Sequence, residues 1–143
     1  MSQIEPKIEL LMQKGIRQAE DELVQWIEDA LHQTTYGKSG RDKLEEAQFR
    51  NLVRVADTTE SSEVIKNFLR YQVGRDSKWG RGENSLATRI VTDIDSKLKL
   101  KADAIAKESS YPNTQDIHIE LIRRYLGYGS RCLKYLNLTT KAG

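Results

Sequence analysis

The side chains that most often carry out catalysis are scarce in this 143-residue chain. It contains two histidines, His32 and His118, and one cysteine, Cys132. The two histidines do not have the spacing of a local metal-ligand motif, and neither an HExxH motif nor a His-Asp doublet is present. We expect both histidines to be solvated near helix ends. Cys132 occupies an apolar helical position, which is typical of a small core side chain rather than a nucleophile. The sequence therefore predicts no catalytic residue.

Carboxylates at short spacing leave one enzymatic alternative, because small helical bundles that hydrolyse nucleotides hold Mg²⁺ with Asp and Glu from two helices. Glu60 and Glu63 have ExxE spacing, and Asp93 and Asp95 are two residues apart. The first pair lies at a predicted helix start, where negative charge is favourable for structural reasons. The second pair would point to different sides of a helix. A magnesium-dependent all-α nucleotide hydrolase is the less favoured alternative, and no metal or cofactor is predicted.

Basic residues are distributed more informatively than their total suggests. The formal net charge is only +2, but residues 1–33 hold seven carboxylates and three basic groups, and the other residues hold 20 basic and 14 acidic groups. Residues 121–143 contain five basic groups and no acid. Helical spacing places several cations on common faces, where they predict phosphate contacts or a solvated surface. These residues are Lys43, Arg50 and Arg54 in the second predicted helix and Arg124, Arg131 and Lys134 in the last one.

A glycine-rich loop from Gly74 to Gly82 combines three features of a nucleic-acid contact. Arg75, Lys78 and Arg81 supply positive charge, and Arg70 precedes them on the preceding helix. The glycines let the backbone approach a phosphate, and Trp79 offers a stacking surface for an unpaired base. The alternative is that Trp79 folds back as a lid on the core. Gly127 and Gly129, in the last helix, would suit a close approach by another helix, a partner chain or RNA.

The elements that must position these residues are helices. Apolar residues from Ile4 to Leu31 follow a 3, 4, 3, 4 spacing, which predicts one first helix of about seven turns. Asp42 and Glu45 predict a capping box for the second helix, and Ser85 predicts the start of a long fourth helix that ends near Pro112. A third helix precedes Gly74, and a fifth passes through Leu136. The sequence thus predicts an all-α, single-domain bundle of about five helices over residues 1–143, with 138–143 as a flexible tail.

Composition narrows the functional classes further. With 38% hydrophobic residues and nearly balanced charges, the chain is not typical of a disordered protein. A lone cysteine excludes a disulfide framework and favours a reduced, cytoplasmic environment. Charged residues interrupt the apolar positions near the N-terminus, and no apolar run is long enough to span a bilayer, so we expect no export signal and no membrane partner.

Two short stretches resemble a known family. Residues 47–53 (AQFRNLV) and 71–75 (YQVGR), followed by a long helix and a terminal helix, resemble the small all-helical subunit of type III CRISPR effector complexes, the Csm-type small subunit. The two stretches match motifs of that family, and the rest of the chain matches only in helix order. The Thr-Thr-Ser that usually leads into the first motif is absent, and Leu44-Glu45-Glu46 stands in its place.

This resemblance implies a non-catalytic subunit that repeats along a multi-protein complex. It would contact guide RNA, target RNA, other subunits and copies of itself, without reading base sequence. Arg50 and Arg75 are the matched positions for RNA contact, whereas the other basic residues and Trp79 come from the charge pattern alone. A helical adaptor that binds only proteins is the alternative function.

Overall fold

The computed structural model describes residues 4–141, and the side chains of residues 4–139. Seven α-helices and one π-helical segment make up five helical rods in this part of the chain, as the sequence predicts. Their bounds are α1 Pro6–Gln18, α2 Glu20–Gln33, α3 Glu46–Thr58, α4 Ser62–Arg75, α5 Leu86–Asp93, the π segment Ile94–Leu98, α6 Lys99–Ser109 and α7 Thr114–Lys141. The predicted tail from residue 138 is helical as far as Lys141, and residues 142 and 143 lie outside the described residues.

The first rod is not the single uninterrupted helix that its apolar spacing predicts. Ala19, with ψ near −8°, separates α1 from α2, and its N–H donates to the carbonyls of both Gly15 and Ile16. The two halves pack on different partners, α1 mainly on α6 and α2 mainly on α7.

The N-terminus of α3 is capped three residues later than predicted. Glu45, rather than Asp42, is the N-cap residue, and its partner in the capping box is Gln48. The Gln48 side chain accepts a hydrogen bond of 2.9 Å from the Glu45 N–H. Two N-terminal N–H groups of α3 are satisfied in this way. The predicted cap at Ser85 is confirmed, since its Oγ accepts a hydrogen bond from the Thr88 N–H.

The fourth rod contains the π segment, which the sequence does not predict. Asp93 directly precedes it and is 1% exposed, with its Oδ2 accepting a 2.7 Å hydrogen bond from the Tyr125 hydroxyl of α7. His118 Nε2 donates to the Ile94 carbonyl at 2.8 Å. The expectation that His118 is solvated is therefore wrong. The ring is buried, and the bond to the carbonyl at the start of the π segment satisfies its Nε2. Both bonds join α7 to the middle of the rod.

Most of the apolar core surrounds α7, which packs against α2, α3 and α6. The buried hydrophobic side chains belong to one cluster that includes residues of every rod. Its largest fully buried members are Trp79, Tyr125, Phe49, Ile16, Leu23, Ile27, Leu31, Leu44, Leu52, Ile65, Leu69 and Leu86. A common core of this kind is what a single helical domain requires. No helix in residues 4–141 has the length and apolar character needed to cross a bilayer.

Two connecting segments, residues 34–45 and 76–85, are bonded to each other. Thr35 N–H donates to the Asn84 carbonyl at 2.8 Å, and Leu86 N–H donates to the Thr35 carbonyl at 3.0 Å. Gly37 N–H donates to the Lys78 carbonyl at 2.9 Å. These bonds satisfy backbone groups that no helix pairs, and they hold both segments close to the N-terminus of α5.

Candidate nucleic-acid interface

The cations predicted to bind RNA lie in two regions. The first is the α3–α7 groove, the furrow between these two helices, which contains or adjoins Arg50, Arg54, Arg124, Arg131 and Lys134. The second is the α4 end, where the last turns of α4 meet the two connecting segments, with Lys43, Arg70, Arg75, Lys78 and Arg81. Helical spacing predicts neighbours within each helix, and the packing of α3 on α7 joins the two groups of the first set. Lys43 does not lie on one helix face with Arg50 and Arg54 as predicted, because α3 begins only after it. Backbone bonds instead hold its segment against the segment that contains Lys78.

Two adjoining cavities of about 580 and 570 Å³ form the α3–α7 groove. Arg131 lines both of them, so it stands at their junction. Ala47, Tyr135 and Leu138 give the first cavity an apolar wall, and Tyr135 and Leu138 are largely exposed. The groove thus offers apolar surface at one end and charged groups along its length.

Two ion pairs within the groove join exposed cations to one carboxylate, Glu46, whose side chain is 20% exposed. Arg50 pairs with Glu46 across one helical turn at 3.1 Å, and its side chain is 52% exposed. Lys134, which is also exposed, lies 4.0 Å from the other oxygen of Glu46. Arg54 donates a hydrogen bond to Asn51. Arg50 and Lys134 are exposed and could turn toward a phosphate, which would take their charge away from the less exposed Glu46.

Arg124 and Arg123 are held more firmly. Arg124 donates to Glu20 and Glu120, each at 3.0 Å, so its charge is matched by two carboxylates. Arg123, which is not among the predicted RNA-binding residues, donates to the carbonyls of Ala56 and Thr59 at 2.9 Å. It therefore caps the C-terminus of α3, a favourable position for a cation. The sequence could not predict this role, because the two carbonyls lie more than 60 residues away along the chain.

Arg131 differs from the other arginines of the groove. Its side chain is exposed, and it makes no hydrogen bond or ion pair with any of the described residues. Lys43, Arg70 and Lys78 at the α4 end share this lack of a side-chain partner within the described part of the chain. Among the predicted RNA-binding residues, we call these four the unpaired cations. No carboxylate of the described fold neutralises them, so they are available to an anion.

At the α4 end, the remaining cations have weak or backbone partners. Arg75 lies 3.5 Å from Asp76, and its side chain is 52% exposed. Arg81 Nε donates to the Val73 carbonyl at 3.2 Å. The 34–45 segment adds two cations that the sequence reasoning missed: Arg41 is exposed, and Lys38 Nζ lies 4.9 Å from the centre of the Tyr36 ring. Counting charges in this glycine-containing loop would have found them.

Trp79 does not provide the predicted stacking surface. Its side chain is 1% exposed, and its ring centre lies 5.3 Å from that of Phe49 on α3. Burying an indole in the core stabilises the fold far more than leaving it in water. The alternative considered for Trp79, a lid on the core, is the observed arrangement, and Trp79 is corrected from an RNA-binding residue to a core residue.

Two of the four carboxylates of the hydrolase alternative, Glu63 and Asp95, come together, but the Lys66 ammonium lies between them. Glu60 pairs with Arg123, whereas Glu63 and Asp95 both pair with Lys66. Asp93 is enclosed in the core beside Tyr125. Within the described residues, no three His, Cys, Asp or Glu side chains are close enough to hold a metal ion. Cys132 is half-buried, and burial raises the pKa of its thiol, which disfavours the reactive thiolate.

Comparisons of this chain with protein-family models, with curated proteins and with solved structures found no match.

Proposed function

We propose that this chain is a non-catalytic, RNA-binding structural subunit of a cytoplasmic ribonucleoprotein, of the kind found in type III CRISPR effector complexes. In this proposal its basic side chains contact the phosphates of guide and target RNA. Binding is tolerant of sequence, because phosphate contacts carry no base information. Other subunits of the complex and further copies of the chain are its protein partners.

The observation that carries this proposal is that several predicted RNA-binding cations have no partner, or only a weak one, within the described residues. The four unpaired cations have no carboxylate partner among the described residues, and the two positions matched by the family resemblance are only weakly paired. Arg50 and Arg75 are each 52% exposed on the side chain, so both can turn toward a ligand. Such groups contribute little to folding, and neutralising RNA phosphates is a function they can serve.

The acidic first rod supports the second part of the proposal, which is that the chain also contacts protein subunits. Residues 1–33 hold seven carboxylates against three basic groups, a surface that repels RNA. Exposed apolar side chains also lie outside the groove, including Leu10 and Leu100 at 68% and 69% exposure. A subunit enclosed by protein neighbours needs such non-RNA surfaces.

Salt dependence of RNA affinity tests the proposal. Removing one phosphate contact lowers the slope of log K against log salt by about 0.7 for a single strand, so Arg50→Ala with Arg75→Ala is expected to lower it by about 1.4. A matched control, Lys7→Ala with Arg17→Ala, removes the same charge from α1 and is expected to change the slope little. The measurement uses an unstructured oligouridylate and an unrelated single strand.

Equal slopes for the wild type and the Arg50/Arg75 variant, in both the isolated chain and the assembled complex, would remove RNA binding from these positions. If the wild type binds no RNA in either form, the protein-only adaptor becomes the better account. Adjacency of the gene to repeat-spacer arrays or to genes for other effector subunits would test the assignment to a CRISPR complex independently.

A further inference from the structure

The middle of α7 contains two glycines with different surroundings. A Cβ at Gly129 would lie 2.7 Å from both Ile27 Cγ1 and Phe49 Cζ, so glycine is what lets α2 and α3 approach α7. A Cβ at Gly127 would have no atom within 4 Å outside its own helix backbone. Glycine in a helix interior is about 1 kcal/mol less favourable than alanine. Gly127 therefore weakens α7 without any packing gain within the described residues.

Gly127 lies on the floor of the second cavity of the α3–α7 groove, which measures about 570 Å³. Arg124 and Arg131 precede and follow it by three and four residues, so all three lie on one face of α7. Val53 and Asp57 of α3 line the opposite wall. The result is an open site at Gly127 between two guanidinium groups. Carboxylates match the charge of Arg124, including that of Glu120 in the same cavity, whereas Arg131 has no partner among the described residues.

We propose that the Gly127 site binds a phosphodiester group of single-stranded RNA; this rests on the RNA-binding function proposed above. The missing side chain lets phosphate oxygens reach the helix surface, where Arg131 can donate paired hydrogen bonds to them. The cavity volume is within the usual range for ligand sites. RNA fits this lining better than a protein helix, because Val53 is the only aliphatic side chain among the described residues that line this cavity.

Asp57 supplies a second test of the same site. It is exposed on the groove wall, forms no ion pair with a described residue, and lies in the last turn of α3, where negative charge is unfavourable. A carboxylate there repels a bound phosphate. Asp57→Asn is therefore expected to strengthen RNA binding, a gain that loss of folding cannot imitate.

The experiment measures oligouridylate affinity and thermal stability of the full chain for Gly127→Ala, Gly127→Gln and Asp57→Asn. Both Gly127 variants are expected to raise Tm, because they improve helix propensity. Gly127→Gln fills the site and should weaken RNA binding about tenfold, a change of about 1.4 kcal/mol, with Gly127→Ala in between. Gln18→Ala is the control: Gln18 is an exposed residue of α1, outside both cation regions, and its replacement by a better helix former should leave affinity unchanged.

Unchanged affinity in Gly127→Gln, or an equal loss in Gln18→Ala, would overturn the site. In that case a flatter salt slope in the Arg50/Arg75 variant would still uphold the RNA-binding function, with the strand bound elsewhere. Weaker binding in Asp57→Asn would also contradict the site. If the wild type binds no RNA in the chain or in the complex, the function fails first and the site fails with it.

Discussion

The 76–85 segment and the α3–α7 groove contain the same kinds of residue: glycines, cations and an aromatic ring. In the segment, packing uses most of them. Trp79 lies against Phe49, and Gly80 is close enough to the Thr35 carbonyl that a Cβ would lie 2.2 Å from its oxygen. In the groove, Gly127 faces open space and Arg131 has no partner among the described residues.

The difference between the segment and the groove shows that residue types suited to RNA binding are equally suited to packing within the fold. A glycine permits close approach of a phosphate or of another part of the chain, and an indole stacks on a base or on a phenylalanine. Which of the two occurs depends on what lies opposite in the fold. The groove is therefore the stronger candidate for ligand contact, and the segment mainly closes the core.

Replacing Trp79 is the largest expected perturbation, and it tests whether the 76–85 segment belongs to the core. Trp79→Ala should lower the free energy of unfolding by about 3–5 kcal/mol, because it removes a fully buried indole. Denaturant unfolding measures this change. Full stability together with loss of RNA affinity would instead make Trp79 a stacking residue and reverse the comparison.

Two glycines of the same segment allow the stability cost of close packing to be measured separately from the cost of a left-handed backbone conformation. Both have positive φ, 80° at Gly80 and 89° at Gly82, but only Gly80 has atoms of other described residues within 4 Å of an added Cβ. Gly82→Ala should cost about 1 kcal/mol, the penalty for the left-handed conformation. Gly80→Ala should cost about 3 kcal/mol, because the backbone must also move away from Thr35. Thermal unfolding of both variants checks the order, and equal costs would show that the segment is not closely packed there.

A smaller effect, from pH, tests whether stability and RNA binding depend on different regions. Burial lowers the pKa of His118, although its bond to the Ile94 carbonyl opposes this, and Lys99, Asp95 and Asp103 also act on the ring. As pH falls below about 6.5, the unfolded chain binds a proton that the folded chain binds less readily, so stability decreases.

His118→Gln should reduce this pH dependence of unfolding, measured in denaturant at several pH values. The salt slope for RNA should be the same in this variant, since His118 lines neither cavity of the groove. A stability that rises as pH falls through this range would contradict the assigned surroundings of His118.

Much of the fold follows from local chemistry. The five rods come from helical spacing of apolar residues, and Ser85 caps α5 by a local hydrogen bond. The turn at Ala19 and the π segment are not predictable in this way. They depend on how α1 packs against α6 and on bonds from His118 and Tyr125, which lie far away in sequence.

The candidate site was predictable to a similar extent. Spacing places Arg124, Arg131 and Lys134 on neighbouring turns of α7, but it cannot distinguish the unpaired Arg131 from Arg124, which Glu20 neutralises from another helix. Gly127 and Gly129 look equivalent in sequence, and only the positions of Ile27 and Phe49 separate them. In each case the deciding neighbour is more than 70 residues away along the chain.

The most direct test of this account is the salt dependence of oligouridylate binding after all four unpaired cations, Lys43, Arg70, Lys78 and Arg131, are replaced by alanine. These side chains form no ion pair with the described residues, so the free energy of unfolding should change little. The slope of log K against log salt should become shallower by about 3 if each cation neutralises one phosphate. An unchanged slope with intact folding would contradict the claim that these four cations bind RNA.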